Sequence, residues 1–137
     1  MKFKTLAFAA AAATVSLSSG AAMAAGDAAA GENISKRCIA CHSFEDGGPN
    51  KIGPNLYGVV GNECGKQPGF KYSKGYMKAC EAGQWSWTEE NIMAYLPNPS
   101  EYLSEHAGEK VRSRMSFMLK GEKDRQDVIA YMKTMQD

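Results

Sequence analysis

The amino-acid sequence predicts a small all-α domain, and three observations point to that class. Apolar residues recur at helical spacing near residue 30, after residue 87 and at the end of the chain. No segment alternates apolar and polar residues as a half-buried strand would. Between residues 47 and 83 the chain holds nine glycines and three prolines without a sustained period, which predicts ordered loop rather than sheet.

Residues 1–24 have the pattern of a cleaved secretory signal. Lys2 and Lys4 precede an apolar, alanine-rich run over residues 6–17, and Ala22-Met23-Ala24 has the small-x-small form of a cleavage site. A retained N-terminal anchor is the alternative, but the apolar run falls short of the about 20 residues that span a membrane. We therefore expect export of the chain and a periplasmic location.

Residues 25–137 then remain, a length that suits one small domain. The full chain has 16 basic and 15 acidic residues, and loss of Lys2 and Lys4 leaves 14 against 15, a net charge of −1. Nucleic-acid-binding domains are usually strongly basic, so the charge balance argues against that class.

The first predicted helix begins after Asp27, whose carboxylate is a suitable N-cap. Ile34, Cys38 and Cys41 follow at i, i+4 and i+7 and form one apolar stripe. We therefore expect the helix to continue to about His42 and to end before the glycine-rich stretch.

The glycine-rich stretch itself, residues 47–83, is predicted as ordered loop with one or two short helical turns. So long a loop is unusual inside a compact domain. It is expected here only if the loop wraps a ligand that is large enough to serve as its core.

Three further helices are predicted in the C-terminal half. Thr88 caps a helix that has acidic residues in its first turn and stops at Pro97. A short helix follows from Asn98 to Leu103, and residues 104–113 are predicted as a polar surface loop. The last helix carries apolar residues at i, i+3, i+4 and i+7, namely Val128, Tyr131, Met132 and Met135.

The segment Cys38-Ile39-Ala40-Cys41-His42 has the spacing that attaches a c-type haem. On one helical turn, two thiols can add to the two vinyl groups of one porphyrin, and the adjacent imidazole can bind the iron. A thiol oxidoreductase also uses Cys-x-x-Cys, but its motif lies near a βαβ pattern that this sequence lacks. The motif therefore predicts one covalently bound haem c.

Two further cysteines, Cys64 and Cys80, lie outside the haem motif. In an oxidising compartment a disulfide is the default for such a pair, with two free buried thiols as the alternative. A four-cysteine zinc site is disfavoured because the second pair has no close spacing.

Three sequences accompany the haem motif in a fixed order: Gly53-Pro54-Asn55-Leu56, Ser113-Arg114-Met115-Ser116-Phe117 and Val128-Ile129-Ala130-Tyr131-Met132. With them, residues 26–137 resemble a class I c-type cytochrome, most similar to bacterial cytochrome c2 and close to mitochondrial cytochrome c. The resemblance implies a small single-domain cytochrome c fold, in which helices and loops wrap around the haem, over residues 25–137.

The resemblance also implies roles for the residues around the iron. Cys38 and Cys41 would form the thioether bonds to the haem, and His42 would be the proximal iron ligand. Pro54 matches the proline whose carbonyl accepts a hydrogen bond from the other ring nitrogen of that histidine. Met115 matches the distal thioether ligand.

Away from the iron, Tyr72 and Trp87 match the pair that hydrogen-bonds a haem propionate. Tyr95 matches the tyrosine near the methionine sulfur. The tryptophan and the methionine ligand each have a neighbouring alternative, Trp85 and Met118, but the sequence context favours Trp87 and the methionine of the Ser-Arg-Met-Ser-Phe sequence.

The function that the resemblance implies is that of a soluble one-electron carrier, not an enzyme. The iron would cycle between Fe(II) and Fe(III), with electrons supplied by a cytochrome bc complex and passed to a photosynthetic reaction centre, a terminal oxidase or both. Docking would be transient and electrostatic, and the chain would be a monomer. The alternative is a gas-binding or peroxidase-like haem protein, which needs an open distal site.

Overall fold

The computed structural model describes residues 25–136, so the predicted signal segment 1–24 lies outside the described residues. Within that range the chain forms helices joined by loops, and outside them the backbone pairs at one isolated bridge between Glu63 and Ser86. The all-α prediction is confirmed. The helices are α1 (Ala28–Ser35), α2 (Lys74–Gly83), α3 (Glu89–Tyr95), α4 (Pro99–Ala107) and α5 (Glu122–Lys133).

Helix α1 packs across α5 with the two backbones in direct contact. A Cβ atom added to Gly31 would lie 1.9 Å from the carbonyl oxygen of Asp127, so only glycine allows this approach. The buried Asp127 carboxylate accepts a hydrogen bond from the Asp27 amide at 2.7 Å and pairs with Lys123. The side-chain bond from Lys123 and the Asp27 amide hold the pKa of Asp127 below its usual range.

The first helix ends at Ser35, whereas the sequence predicted that it would continue to about His42. The chain then continues in tight turns, in which the Arg37 amide bonds to the Ile34 carbonyl at 3.0 Å and the Cys38 amide to the Ser35 carbonyl at 2.8 Å. These bonds span three residues, so the backbone tightens just before the haem motif.

Helix α2 lies inside the stretch predicted as loop, so that prediction is wrong for residues 74–83. Ser73 caps it by accepting a hydrogen bond from the Tyr76 amide at 3.2 Å. The helix packs on α4 and buries Ala79 and Cys80. Packing on α4 outweighs the low helix propensity of the glycines in α2. Because this packing is tertiary, no local sequence pattern reveals it.

Helix α4 continues to Ala107, beyond the predicted end at Leu103. Ser104, predicted as the start of a surface loop, instead donates its hydroxyl to the Ser100 carbonyl at 2.7 Å within the helix. The helix ends at Gly108, whose φ of 68° is a left-handed conformation that suits glycine.

The core consists of aromatic and aliphatic side chains from α2 to α5 and the loop before α3. Trp85, Trp87 and Tyr102 pack edge to face or stacked, with ring centroids 5.6 to 6.2 Å apart, above the fully buried Leu103. None of the described helices is long and apolar enough to cross a membrane.

Candidate haem site

A single cavity gathers every residue that the sequence predicted for haem contact. Its walls come from the turn after α1, from three loop segments and from helices α2, α3 and α5. The predicted residues on those walls are Cys38, Cys41, His42, Pro54, Tyr72, Trp87, Tyr95 and Met115.

The haem motif forms one helical turn on the cavity wall. The Cys41 and His42 amides both bond to the Cys38 carbonyl, at 3.0 and 2.9 Å. Neither cysteine of the motif is in a disulfide. The turn therefore presents two free thiols and one imidazole to the same space.

The loop that follows the motif fixes the orientation of the His42 imidazole. Its Nδ1 lies 2.7 Å from the Pro54 carbonyl oxygen, so Nδ1 carries the proton and Nε2 keeps a free electron pair. Burial lowers the pKa of His42, with the Pro54 bond acting against it, and this favours the neutral ring that binds metal. A Cβ atom on Gly53 would lie 2.3 Å from the ring, so only glycine leaves room for the imidazole there.

Met115 reaches the cavity from a segment that is held by serine hydroxyls. Its amide bonds to the Ser113 Oγ at 3.0 Å, and the Ser113 amide bonds to the Ser100 Oγ of α4 at 3.0 Å. The Tyr95 hydroxyl lies 3.5 Å from the Ser113 Oγ, which places it beside the Met115 backbone. Met118, the alternative ligand, is 43% exposed and does not line the cavity.

The polar end of the cavity is formed by tyrosine and tryptophan side chains. The Tyr72 hydroxyl accepts a hydrogen bond from the Gln67 amide at 3.2 Å, which leaves its proton available for donation. Trp87 is buried and lines the cavity, whereas Trp85 lies outside it. The preference for Trp87 over Trp85 thus agrees with the placement of both indoles.

Tyr76 is a cavity residue that the sequence interpretation assigned to packing alone. Its ring stacks on Tyr72 with centroids 4.6 Å apart, and its hydroxyl is hydrogen-bonded to the side chain of Trp87. Burial raises the pKa of Tyr76, so the phenol stays protonated. No short sequence pattern marks this role, because Tyr72 precedes the N-cap Ser73 and the two rings meet only once α2 has formed.

Comparison with models of known protein families gives no match. Cytochrome c2 of Rhodospirillum rubrum is 45% identical over 124 residues, which cover 90% of this chain and 91% of that protein. Cytochrome c-550 of Novispirillum itersonii is 43% identical over 111 residues, or 80% and 99% of the two chains. The solved structure of cytochrome c2 from Rhodospirillum centenum superposes with a TM-score of 0.75 at 42% identity, covering 82% of this chain and 100% of that one. The chain belongs to the cytochrome c2 family.

As a member of the cytochrome c2 family, the protein carries one covalently bound haem c and acts as an electron carrier. The cavity fits that group. Its free thiols suit thioether attachment, and the imidazole and the Met115 thioether suit a low-spin iron. Apolar side chains such as Leu56, Val59 and Leu96 line the remaining walls and suit the porphyrin faces. When bound, the haem supplies a one-electron Fe(II)/Fe(III) couple.

A disulfide ties the polar end of the site to α2. The bond joins Cys64 and Cys80, whose Cα atoms are 5.4 Å apart and whose side chains are both buried. Cys64 follows two residues on the cavity wall, Asn62 and Glu63, while Cys80 lies one turn after Tyr76. The bond therefore fixes the loop to the helix that supplies the stacked tyrosine.

Proposed function

We propose that residues 25–137 are the exported domain, released from residues 1–24, and that this domain is a soluble carrier of single electrons in the periplasm. Its electron donor is a cytochrome bc complex, and its acceptor is a photosynthetic reaction centre, a terminal oxidase or both. The signal pattern of the first 24 residues and the family of electron carriers support this proposal. The observation that carries it is the presence of His42 and Met115 on the walls of one cavity.

In this proposal the Nε2 of His42 and the sulfur of Met115 would bind the haem iron, and Cys38 and Cys41 would hold the haem covalently. The Pro54 carbonyl orients His42 and increases its basicity, since it accepts the Nδ1 proton. A thioether opposite an imidazole stabilises Fe(II) relative to two imidazoles and so raises the reduction potential. Because His42 and Met115 would both bind the iron, a substrate would find no open position on it.

The polar end of the cavity receives a haem propionate in the same proposal. Tyr72 has a proton available for donation, because its oxygen already accepts from the Gln67 amide. Trp87 and Tyr76 lie together beside it. Tyr72 and Tyr76 would donate their hydroxyl protons to a carboxylate there, whereas the Trp87 indole already donates its single N–H to the Tyr76 hydroxyl. Such donated hydrogen bonds would offset the cost of burying the negative charge.

The competing function is a gas-binding or peroxidase-like haem protein with an open distal site. Such a protein would need the Met115 segment to lie away from the cavity. Instead, the Ser113 hydroxyl binds the Met115 amide, and the Leu119 amide bonds to the Leu96 carbonyl of the core at 2.8 Å. The segment is therefore attached at both ends, which favours the carrier.

Axial ligation is tested by potentiometric titration of the holoprotein. We expect Met115→His to lower the reduction potential strongly, since the thioether that favours Fe(II) is replaced by an imidazole. The exposed Met118→Leu is the control and should leave the potential unchanged. An unchanged potential in Met115→His together with a shift in Met118→Leu would reassign the ligand.

The proposed partners are tested by kinetics. Laser-flash oxidation of the reduced protein by membranes that contain reaction centres is compared with turnover by a terminal oxidase, each at several salt concentrations. Fast oxidation by at least one of them, slowed by salt, is expected for electrostatic docking. Slow oxidation by both would reject the proposed acceptors.

A further inference from the structure

The segment that carries Met115 is weakly held between two firm attachments. Ser113 and Leu119 are anchored through their amides to Ser100 and Leu96, as described above. Between them, the Met115 amide bonds only to the nearby Ser113 hydroxyl. The backbone of residues 116–118 makes no hydrogen bond to any described part of the chain. Side-chain contacts must therefore keep this ligand segment, residues 114–118, over the cavity.

One of these side-chain contacts joins two residues of the cavity wall, Arg37 and Phe117. The guanidinium carbon of Arg37 lies 5.0 Å from the centre of the Phe117 ring, within the range of a cation–π interaction. Both residues line the cavity. Met115, two positions before Phe117 in the same irregular segment, also lines this cavity.

Arg37, the cationic member of this contact, has its backbone held by the end of α1. Arg37 directly precedes Cys38, and its amide bonds to the Ile34 carbonyl at the end of α1. Because α1 is pressed onto α5 at Gly31, the position of Arg37 depends on the most closely packed helix pair of the described fold. The contact therefore joins a rigid wall of the cavity to the loosely held ligand segment.

We propose that Arg37 is a positioning residue for the distal ligand: stacked on Phe117, it latches the ligand segment closed and slows the release of Met115 from the iron. The latch rests on the proposed ligation by Met115. Arg37 itself touches neither the ligand atom nor the iron in this role, and it acts through the Phe117 ring. Loss of the stacking should raise the population of the open segment by about two- to fivefold, the factor that an exposed cation–π contact supports.

The experiment measures the affinity of the ferric holoprotein for imidazole, followed by visible absorption, because imidazole binds only where Met115 has left the iron. We expect Arg37→Gln to raise the affinity by about two- to fivefold and Arg37→Lys to raise it less. The matched control is Arg112→Gln, which also removes an exposed positive charge near the ligand segment but lies outside the cavity wall and has no aromatic partner among the described residues. Its affinity should equal that of the unaltered protein.

A double-mutant cycle separates stacking from charge. In a Phe117→Leu background, Arg37→Gln should have no further effect on imidazole affinity. An equal effect of Arg37→Gln with and without Phe117, or an equal effect of Arg37→Gln and Arg112→Gln, would overturn the latch. Met115→Ala identifies a failure of the ligation itself: if the unaltered protein binds imidazole as tightly as that variant, Met115 is not the ligand. If Met115→Ala binds much more tightly while Arg37→Gln is unchanged, the ligation stands and only the latch fails.

Discussion

The interface between α1 and α5 and the ligand segment 114–118 are built in opposite ways. At the interface, main-chain atoms of the two helices touch, and a buried carboxylate, Asp127, closes the gap at the start of α1. The ligand segment has no regular secondary structure, and backbone hydrogen bonds tie only its flanking residues Ser113 and Leu119 to distant parts of the described chain. The interface fixes the turn that contains the haem motif. In the proposed mechanism, the ligand segment can move Met115 away from the iron without displacing the helices. Stability and ligand exchange are therefore expected to respond to different substitutions.

Gly31→Ala is expected to have the largest effect on stability. The added methyl group would meet the Asp127 carbonyl oxygen at 1.9 Å, so the helices must separate, at a cost of about 3 kcal/mol or more in the free energy of unfolding. Denaturant unfolding of the ferric holoprotein measures this. Glu32→Ala, exposed on the same helix, is the control and should cost less than about 0.5 kcal/mol. If Gly31→Ala were as stable as the control, the close contact of the two backbones would be wrong.

The second largest effect on stability is expected from removal of the disulfide by the paired Cys64→Ser and Cys80→Ser substitutions. The bond closes a loop of 16 positions, and its loss should lower the free energy of unfolding by about 2–3 kcal/mol. Imidazole affinity should stay the same, because the bond lies at the polar end of the cavity, away from the ligand segment. Thiol titration of the unfolded, unreduced holoprotein is the companion measurement, and two reactive thiols would show that the bond is not formed.

Asp127→Asn is expected to change how stability depends on pH. The pKa of Asp127 is lowered in the folded protein, so its stabilising effect is complete above the ordinary value of 3.8 and is lost as the pH falls through the lowered value. The unaltered protein should therefore lose melting temperature more steeply below about pH 4 than the variant does. Asp46→Asn, an exposed acid outside the interface, serves as the control. Parallel pH profiles for all three proteins would argue against the role given to Asp127.

The smallest expected effect distinguishes the half-buried Tyr76 from the buried Tyr102. Tyr76 lines the cavity, whereas Tyr102 does not, and the Tyr102 hydroxyl has no hydrogen-bond partner among the described residues. Tyr76→Phe removes a donor beside the propionate, so it should lower the reduction potential, by at most about 40 mV if the bond contributes about 1 kcal/mol. Tyr102→Phe should leave both the potential and the stability unchanged. Equal shifts of the reduction potential in the two variants would show that Tyr76 has no specific role in the site.

The chemistry of the site could be predicted from the sequence, because it lies in short patterns. Cys38, Cys41 and His42 are neighbours in the chain, and the sequences around Pro54 and Met115 are distinctive by themselves. The serine hydroxyls that hold the Met115 segment could not be predicted in this way. Ser100 and Ser113 are 13 residues apart and meet only after α4 has folded.

The elements that the sequence interpretation missed depend on tertiary packing. Helix α2 contains two glycines, and its apolar residues are buried only against α4, so local propensity favours loop. Tyr76 was missed as a consequence, because its orientation toward the cavity depends on that helix. The early end of α1 at Ser35 has a similar origin, since the tight turns that follow belong to the haem motif and not to a regular helix.

Binding of carbon monoxide to the reduced holoprotein at neutral pH tests most directly whether the chain fills both axial positions. Carbon monoxide needs a vacant position on Fe(II), so its rate of binding reports how often Met115 is absent. We predict slow or undetectable binding to the unaltered protein and rapid binding to Met115→Ala. Rapid binding to the unaltered protein would contradict the account and favour a gas-binding or peroxidase-like haem protein.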